Sequence, residues 1–232
     1  MPPGSDLAFE VISPHTEDPI ARIAAPAPAD VDRAVAAARR AFDTGPWPRL
    51  DPAERIRIVR GLAGRYEQRV EEIAQLVTAE MGAPITFSRS AHARLPGVMI
   101  RALADLAAGF PWQESRPGYY GSDILVRHEP VGVVGAVAPW NMPMLMVVAK
   151  LVPALLAGCT VVLKPSPETP LDAYLMAELV ADSEIFRPEL CRSSRATAIP
   201  ADIWWGTPMS TRCPSPAPPQ RVAKSPRHAG PH

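Results

Sequence analysis

The sequence predicts an α/β protein built on a parallel sheet, and three features of the stretch Val131–Pro170 carry that expectation. Val131–Val137 is apolar and β-branched with two glycines, and Cys159–Leu163 is a second short apolar run. Both suit strands covered on two faces. Between them Met144–Ala157 is apolar nearly all round, interrupted by Lys150 alone, as a helix lying on a sheet would be. Strand, helix and strand in this order make a βαβ unit.

Elements upstream follow from local signals. Phe9–Pro26 alternates apolar positions around a polar turn, which predicts a β-hairpin or an extended arm. Pro28–Phe42 repeats alanines at helical spacing, with Asp30 expected as its N-cap, and Asp51 is expected to cap a single helix over Pro52–Glu80. Gly82 and Pro84 close that helix. Ser88–Gly109 is an amphipathic helix whose apolar face is expected to be Leu95, Val98, Met99, Leu103 and Leu106. Gly118–Glu129 then leads into the βαβ unit.

Composition excludes several classes. With 232 residues, 47% of them hydrophobic, the chain can bury a sizeable core. Lys plus Arg equals Asp plus Glu at 24 each, so no net field favours nucleic acid or an anionic membrane. Val131–Ala149 is long enough to span a bilayer, but Pro139, Asn141 and Pro143 would break one continuous helix while suiting a strand-to-helix turn. Cys159, Cys191 and Cys213 have no metal spacing, and the N-terminus has no apolar signal core, so a reduced, cytoplasmic setting is expected. His15, His92, His128, His228 and His232 are scattered without metal or triad spacing.

The last fifty or so residues differ in kind. From Glu184 the apolar periodicity ends and prolines crowd the chain, which predicts a disordered tail. The genetic code permits a sharper test. If each codon is regrouped as the last base of one residue plus the first two of the next, Trp204–Trp205 must give valine and Trp205–Gly206 must give glycine. With permitted codon choices Gly206–Pro219 then reads HPDVDKVSFTGST, and Ile185–Ser194 regroups to a string like LPAGAVSV. The fixed second bases favour a shifted reading frame over chance.

Three segments carry a resemblance. APWNMP at Ala138–Pro143, PALLAGCTVVLKPSPETPL at Pro153–Leu171, and the arm followed by helices resemble the NAD(P)-dependent aldehyde dehydrogenase superfamily, over residues 8 to 183. The regrouped tail resembles the next segment of that family, ending in FTGST. The resemblance implies the N-terminal part of the aldehyde dehydrogenase fold: an incomplete Rossmann-like parallel sheet with preceding helices and an N-terminal arm. It divides the chain into an arm (residues 1–28), a helical part with linking strands (29–130), the start of the dinucleotide-binding region (131–183) and an aberrant Pro-rich tail (184–232).

It also implies a site. In this family a cysteine thiolate attacks the aldehyde carbonyl, hydride passes to NAD(P)+ and the thioester is hydrolysed, so a developing oxyanion needs aimed donors. By resemblance Asn141 is the oxyanion-hole amide, in place of the ordinary duty of an Asn that caps the helix starting near Met142. Lys164 resembles the lysine that hydrogen-bonds the adenosine ribose. Val137, Ala138, Pro139, Trp140, Ser166, Pro167 and Glu168 complete the expected cofactor-binding rim. Many NAD-preferring relatives carry a glutamate where this chain has Pro167, with Glu168 one position later, so either NAD or NADP is admitted. No GxGxxG occurs, in line with the family.

The family's nucleophilic cysteine and glutamate base have no counterpart here, and Cys159, inside an apolar run, reads as a buried inert thiol. The expected function is therefore that of an inactive, truncated form of an enzyme that oxidises an aldehyde to a carboxylic acid; the intact family is homo-oligomeric. The alternative is a non-catalytic interaction module derived from such an enzyme.

Overall fold

The structure, a computed structural model, describes residues 8–181. The expectations for the tail and for the first residues of the arm lie outside them. Strands β1 (Ala8–Ile12) and β2 (Pro19–Ala24) form the antiparallel hairpin that alternation predicts, turning Val11 and Ile23 inward. Helix α1 runs Pro28–Thr44. Its cap is Ala27, because Pro28 takes the first helical position; Asp30 lies inside the first turn and reaches back to accept the Ala27 N–H at 2.7 Å. This corrects the assignment of Asp30 as N-cap.

The single helix expected over Pro52–Glu80 is two. Helix α2 (Pro52–Gln68) ends at Arg69, where the backbone leaves helical values, and α3 (Val70–Met81) follows. The break lets Leu62 and Tyr66 of one helix and Ile73 and Val77 of the next face one core. Asp51 stands at the N-cap of α2 as expected, but through its backbone carbonyl, with no capping bond from its side chain. Gly82 closes α3 at φ 77°, a left-handed value that suits glycine; an added Cβ would lie 2.6 Å from the Pro14 ring.

Next come the single turn α4 (Ile85–Phe87), a π-helical segment Ser88–Ala93 and α5 (Arg94–Ala108). The expected inward face of α5 is wrong in part. Gly97, Ile100, Ala104 and Ala107 are buried, whereas Leu95, Val98 and Leu106 are exposed, Leu106 at 69%. Small residues win the inner face because α5 lies close on α2, with the Tyr66 ring beneath Gly97. Strands β3 (Gln113–Pro117) and β4 (Asp123–Arg127) form a second antiparallel hairpin.

The βαβ unit is present. Strands β5 (Val133–Val137) and β6 (Thr160–Lys164) are parallel, joined by α6 (Pro143–Leu156) with Pro143 in its first turn. α1 covers one face of the pair through Ala34 and Ala38 against Val162, and the Thr160 hydroxyl donates to the Ala38 carbonyl at 3.0 Å. α6 covers the other, burying Met144, Val148 and Leu155 in the main core. Arg55 ties α2 to the end of α6, its Nε donating to the Leu156 carbonyl at 2.9 Å. After the turn at Pro165–Pro170 comes α7 (Leu171–Ala181), a helix not anticipated because it is apolar on nearly every side and shows little periodicity. Among the described residues no helix is long and apolar enough to cross a membrane.

Candidate functional site

Parallel pairing puts the ends of both strands on one edge. Val137 stands opposite Lys164, and the Ala138 N–H donates to the Lys164 carbonyl at 2.9 Å, one step beyond the paired strands. Two turns leave this edge. The first, Ala138–Met142, buries Ala138 and exposes Pro139, Trp140 and Asn141. Asn141 does not cap α6: the cap is Met142, and no side chain bonds there. An Asn released from capping, in an exposed turn at the carboxyl end of a parallel strand, has an amide available to a ligand.

The second turn carries exposed Lys164, Pro167 and Glu168 with half-buried Pro165 and Ser166. The Lys164 ammonium donates to the Pro165 carbonyl at 3.3 Å, and the Thr169 N–H closes the turn onto the Ser166 carbonyl at 3.3 Å. The Ser166 hydroxyl donates to the Glu168 carboxylate and holds it below the usual carboxylate range. Thr169 is buried, and its hydroxyl donates to the Trp140 carbonyl at 3.3 Å, fastening the second turn to the peptide that precedes Asn141. Thus Val137, Ala138, Pro139, Trp140, Asn141, Lys164, Ser166, Pro167 and Glu168 all lie along one rim.

Sequence reading missed the support beneath it. Thr169 lies within the Pro153–Leu171 segment, where nothing local marks its hydroxyl as the fastener of a turn 29 residues away. Glu80, at the end of α3, accepts the N–H groups of Leu171 and Asp172 at 2.8 and 3.2 Å and so caps α7. An acid in the last turn of a helix opposes that helix's dipole, and this was the available signal. A cavity of about 100 Å³ opens between the Lys164–Pro170 turn and the first hairpin, lined by Phe9, Ile23, Lys164, Pro167 and Tyr174 among others. A wider cleft of about 520 Å³ opens beside Trp140, Glu168 and Glu80. Cys159 is buried just before β6, roughly 16 Å along the strand from Lys164 at about 3.3 Å per residue, at the end away from the rim. Among the described residues no group of three or more His, Cys, Asp or Glu could hold a metal ion.

The sequence model of the aldehyde dehydrogenase family matches residues 2–186. The chain belongs to the aldehyde dehydrogenase family. Among curated members it is 38% identical over 181 residues to geranial dehydrogenase of Castellaniella defragrans, covering 78% of this chain and 38% of that protein. It is 40% identical over 179 residues to aminoacetaldehyde dehydrogenase of Pseudomonas aeruginosa, covering 76% and 36%. Among solved family members, the Mycobacterium tuberculosis aldehyde dehydrogenase complexed with NAD+ superposes with a TM-score of 0.76 at 39% identity, over 87% of this chain and 39% of that one. A mutant of Pseudomonas syringae aldehyde dehydrogenase C, complexed with NAD+ and octanal, gives a TM-score of 0.73 at 40% identity, over 78% and 36%. The chain therefore spans little more than a third of the length of these relatives.

Proposed function

We propose that this chain carries the oxyanion donor and the cofactor-side lysine of an NAD(P)-dependent aldehyde dehydrogenase. Its reading frame changes after about residue 183, so the translated chain does not itself turn over aldehydes. The observation that carries the site is the parallel register, Val137 opposite Lys164, which sends the turns bearing Asn141 and Lys164 from the same edge of the sheet. Asn141 supplies a side-chain N–H to an oxygen that gains negative charge as a carbonyl is attacked. Lys164 supplies a cation with three donors for the hydroxyls of a ribose. Thr169 keeps the two turns in fixed relation. NAD or NADP, when bound, accepts the hydride that leaves the aldehyde carbon.

The frame change is supported by the tail, which regroups to FTGST, and by the family match, which stops at residue 186. The substrate class is an aldehyde, in keeping with relatives named for geranial and aminoacetaldehyde and with one complexed with octanal. Correcting the frame near Ser183 tests the reading. The longer product, given a panel of aldehydes and both cofactors, is expected to produce NAD(P)H, and Asn141→Ala in that product to lower kcat by about 100-fold or more. Stop codons in the corrected frame, or turnover indifferent to Asn141→Ala, would overturn it in favour of an interaction module or of different chemistry respectively.

A further inference from the structure

We propose that Glu80 and Asp172 hold a shared proton that docks the N-terminus of α7, and with it the Lys164–Pro170 turn, onto the end of α3. Both side chains are buried, Glu80 at 3% exposure and Asp172 at 0%. They are neighbours: Glu80 Oε1 accepts the backbone N–H of Asp172 itself. Glu80 has two N–H donors from another helix, whereas neither oxygen of Asp172 has a well-formed hydrogen bond among the described residues and only the backbone N–H groups of its own turn, at Asp172 and Ala173, lie toward it. Two ionised carboxylates on residues in this contact, both buried and one held only by the amides of its own turn, would combine desolvation with like-charge repulsion. One proton removes the repulsion and leaves a single buried charge: it neutralises one carboxyl and provides an O–H donor to the other.

Among the described residues no cation pairs with either carboxyl, and the cleft beside Glu80 is lined by two more acids, Glu10 and Glu168. Facing Asp172 from α2 is Tyr66, whose hydroxyl is engaged with the Ala93 carbonyl at 2.9 Å. The charged side chain of α6 is Lys150, which is exposed. Arg69 pairs with Glu178, toward the other end of α7. Burial pushes the Glu80 carboxyl up to about 7, and burial followed by the charge of Glu80 pushes Asp172 well above the ordinary aspartate value. The pair sits where it matters to the rim, because the residues that Glu80 caps follow directly on Thr169 and Pro170.

The sign is fixed by linkage. Both folded values lie above the unfolded ones, so the native state binds more protons, and the stabilisation present at low pH declines as pH rises through the folded values. The full 232-residue chain is unfolded in urea across a pH series, beside Asp172→Asn and Glu80→Gln. Between about pH 5 and pH 7, above the ordinary carboxyl values of the unfolded chain and below the folded value of Glu80, the folding equilibrium constant of wild type is expected to fall by up to about tenfold per pH unit more than that of Asp172→Asn, since one excess bound proton gives that slope. Glu80→Gln should keep part of the slope. Infrared spectra of the unmutated chain near neutral pH are expected to show a protonated carboxyl band that moves on aspartate or glutamate isotope labelling. Parallel pH curves for wild type and Asp172→Asn would overturn the proposal, as would a spectrum without that band, whether or not the variants fold. Neither readout depends on aldehyde or cofactor, so failure here leaves the functional reading untouched.

Discussion

Adding one methyl group at two glycines in this helical layer should move stability in opposite directions. At Gly97 in α5, a Cβ would lie 3.0 and 3.2 Å from two carbons of the Tyr66 ring. The ring cannot easily withdraw, because Tyr66 is fully buried and its hydroxyl is tied to the Ala93 carbonyl. Overpacking of this sort costs about 1–3 kcal/mol, while replacing a helical glycine with alanine returns about 1 kcal/mol. With the neighbour pinned, the upper half of the range applies and Gly97→Ala should lose about 1–2 kcal/mol. At Gly61 in α2 a Cβ meets nothing within 4 Å, so only the propensity term acts and Gly61→Ala should gain about 0.5–1 kcal/mol. Urea unfolding of both variants measures the contrast. A Gly97→Ala variant as stable as wild type would show that α5 is not seated on Tyr66 as described.

Two further outcomes rest on separate features. Arg55→Met should destabilise by about 1.5–3 kcal/mol in the same urea assay, because it leaves the Leu156 and Leu50 carbonyls without their charged donor; an unchanged midpoint would count against that tie between α2 and α6. Among the described residues β5 and β6 pair only with each other, so each keeps an unpaired edge, and light scattering should show concentration-dependent self-association of the purified chain; a monodisperse monomer would refute this.

Legibility from sequence followed the periodicity. The parallel pair and α6 could be read because both strands are apolar on two faces and the helix is flanked by turn residues; the ends moved by only one or two residues. Asn141 and Lys164 could be placed because a βαβ crossover forces both strand ends to one edge. Apart from the cap of α1, which Pro28 moved to Ala27, what failed were inferences needing partners distant in the chain. Large apolar side chains at Leu95, Val98 and Leu106 looked like a core face, yet close approach of α5 to Tyr66 rewards Gly97, Ala104 and Ala107 instead. Likewise α7 hid because a helix covered on most sides has no polar stripe to betray its period.

The support of the rim was hidden for a related reason. Locally neither acid stands out: Asp172 lies in the first turn of α7, where the dipole welcomes an acid, and Glu80 lies at the end of α3. Only the docking of α7 on α3 makes each the other's problem. Ninety-two residues apart, they meet at the base of the turn that presents Lys164 and Glu168. The motif at the edge is local in sequence, whereas the tie beneath it, from the Glu80 carboxylate to the backbone N–H groups of Leu171 and Asp172, joins residues that the sequence does not show to be neighbours. Substitutions at Glu80 or Asp172 should accordingly alter the stability of α7's docking before they alter any group on the rim itself.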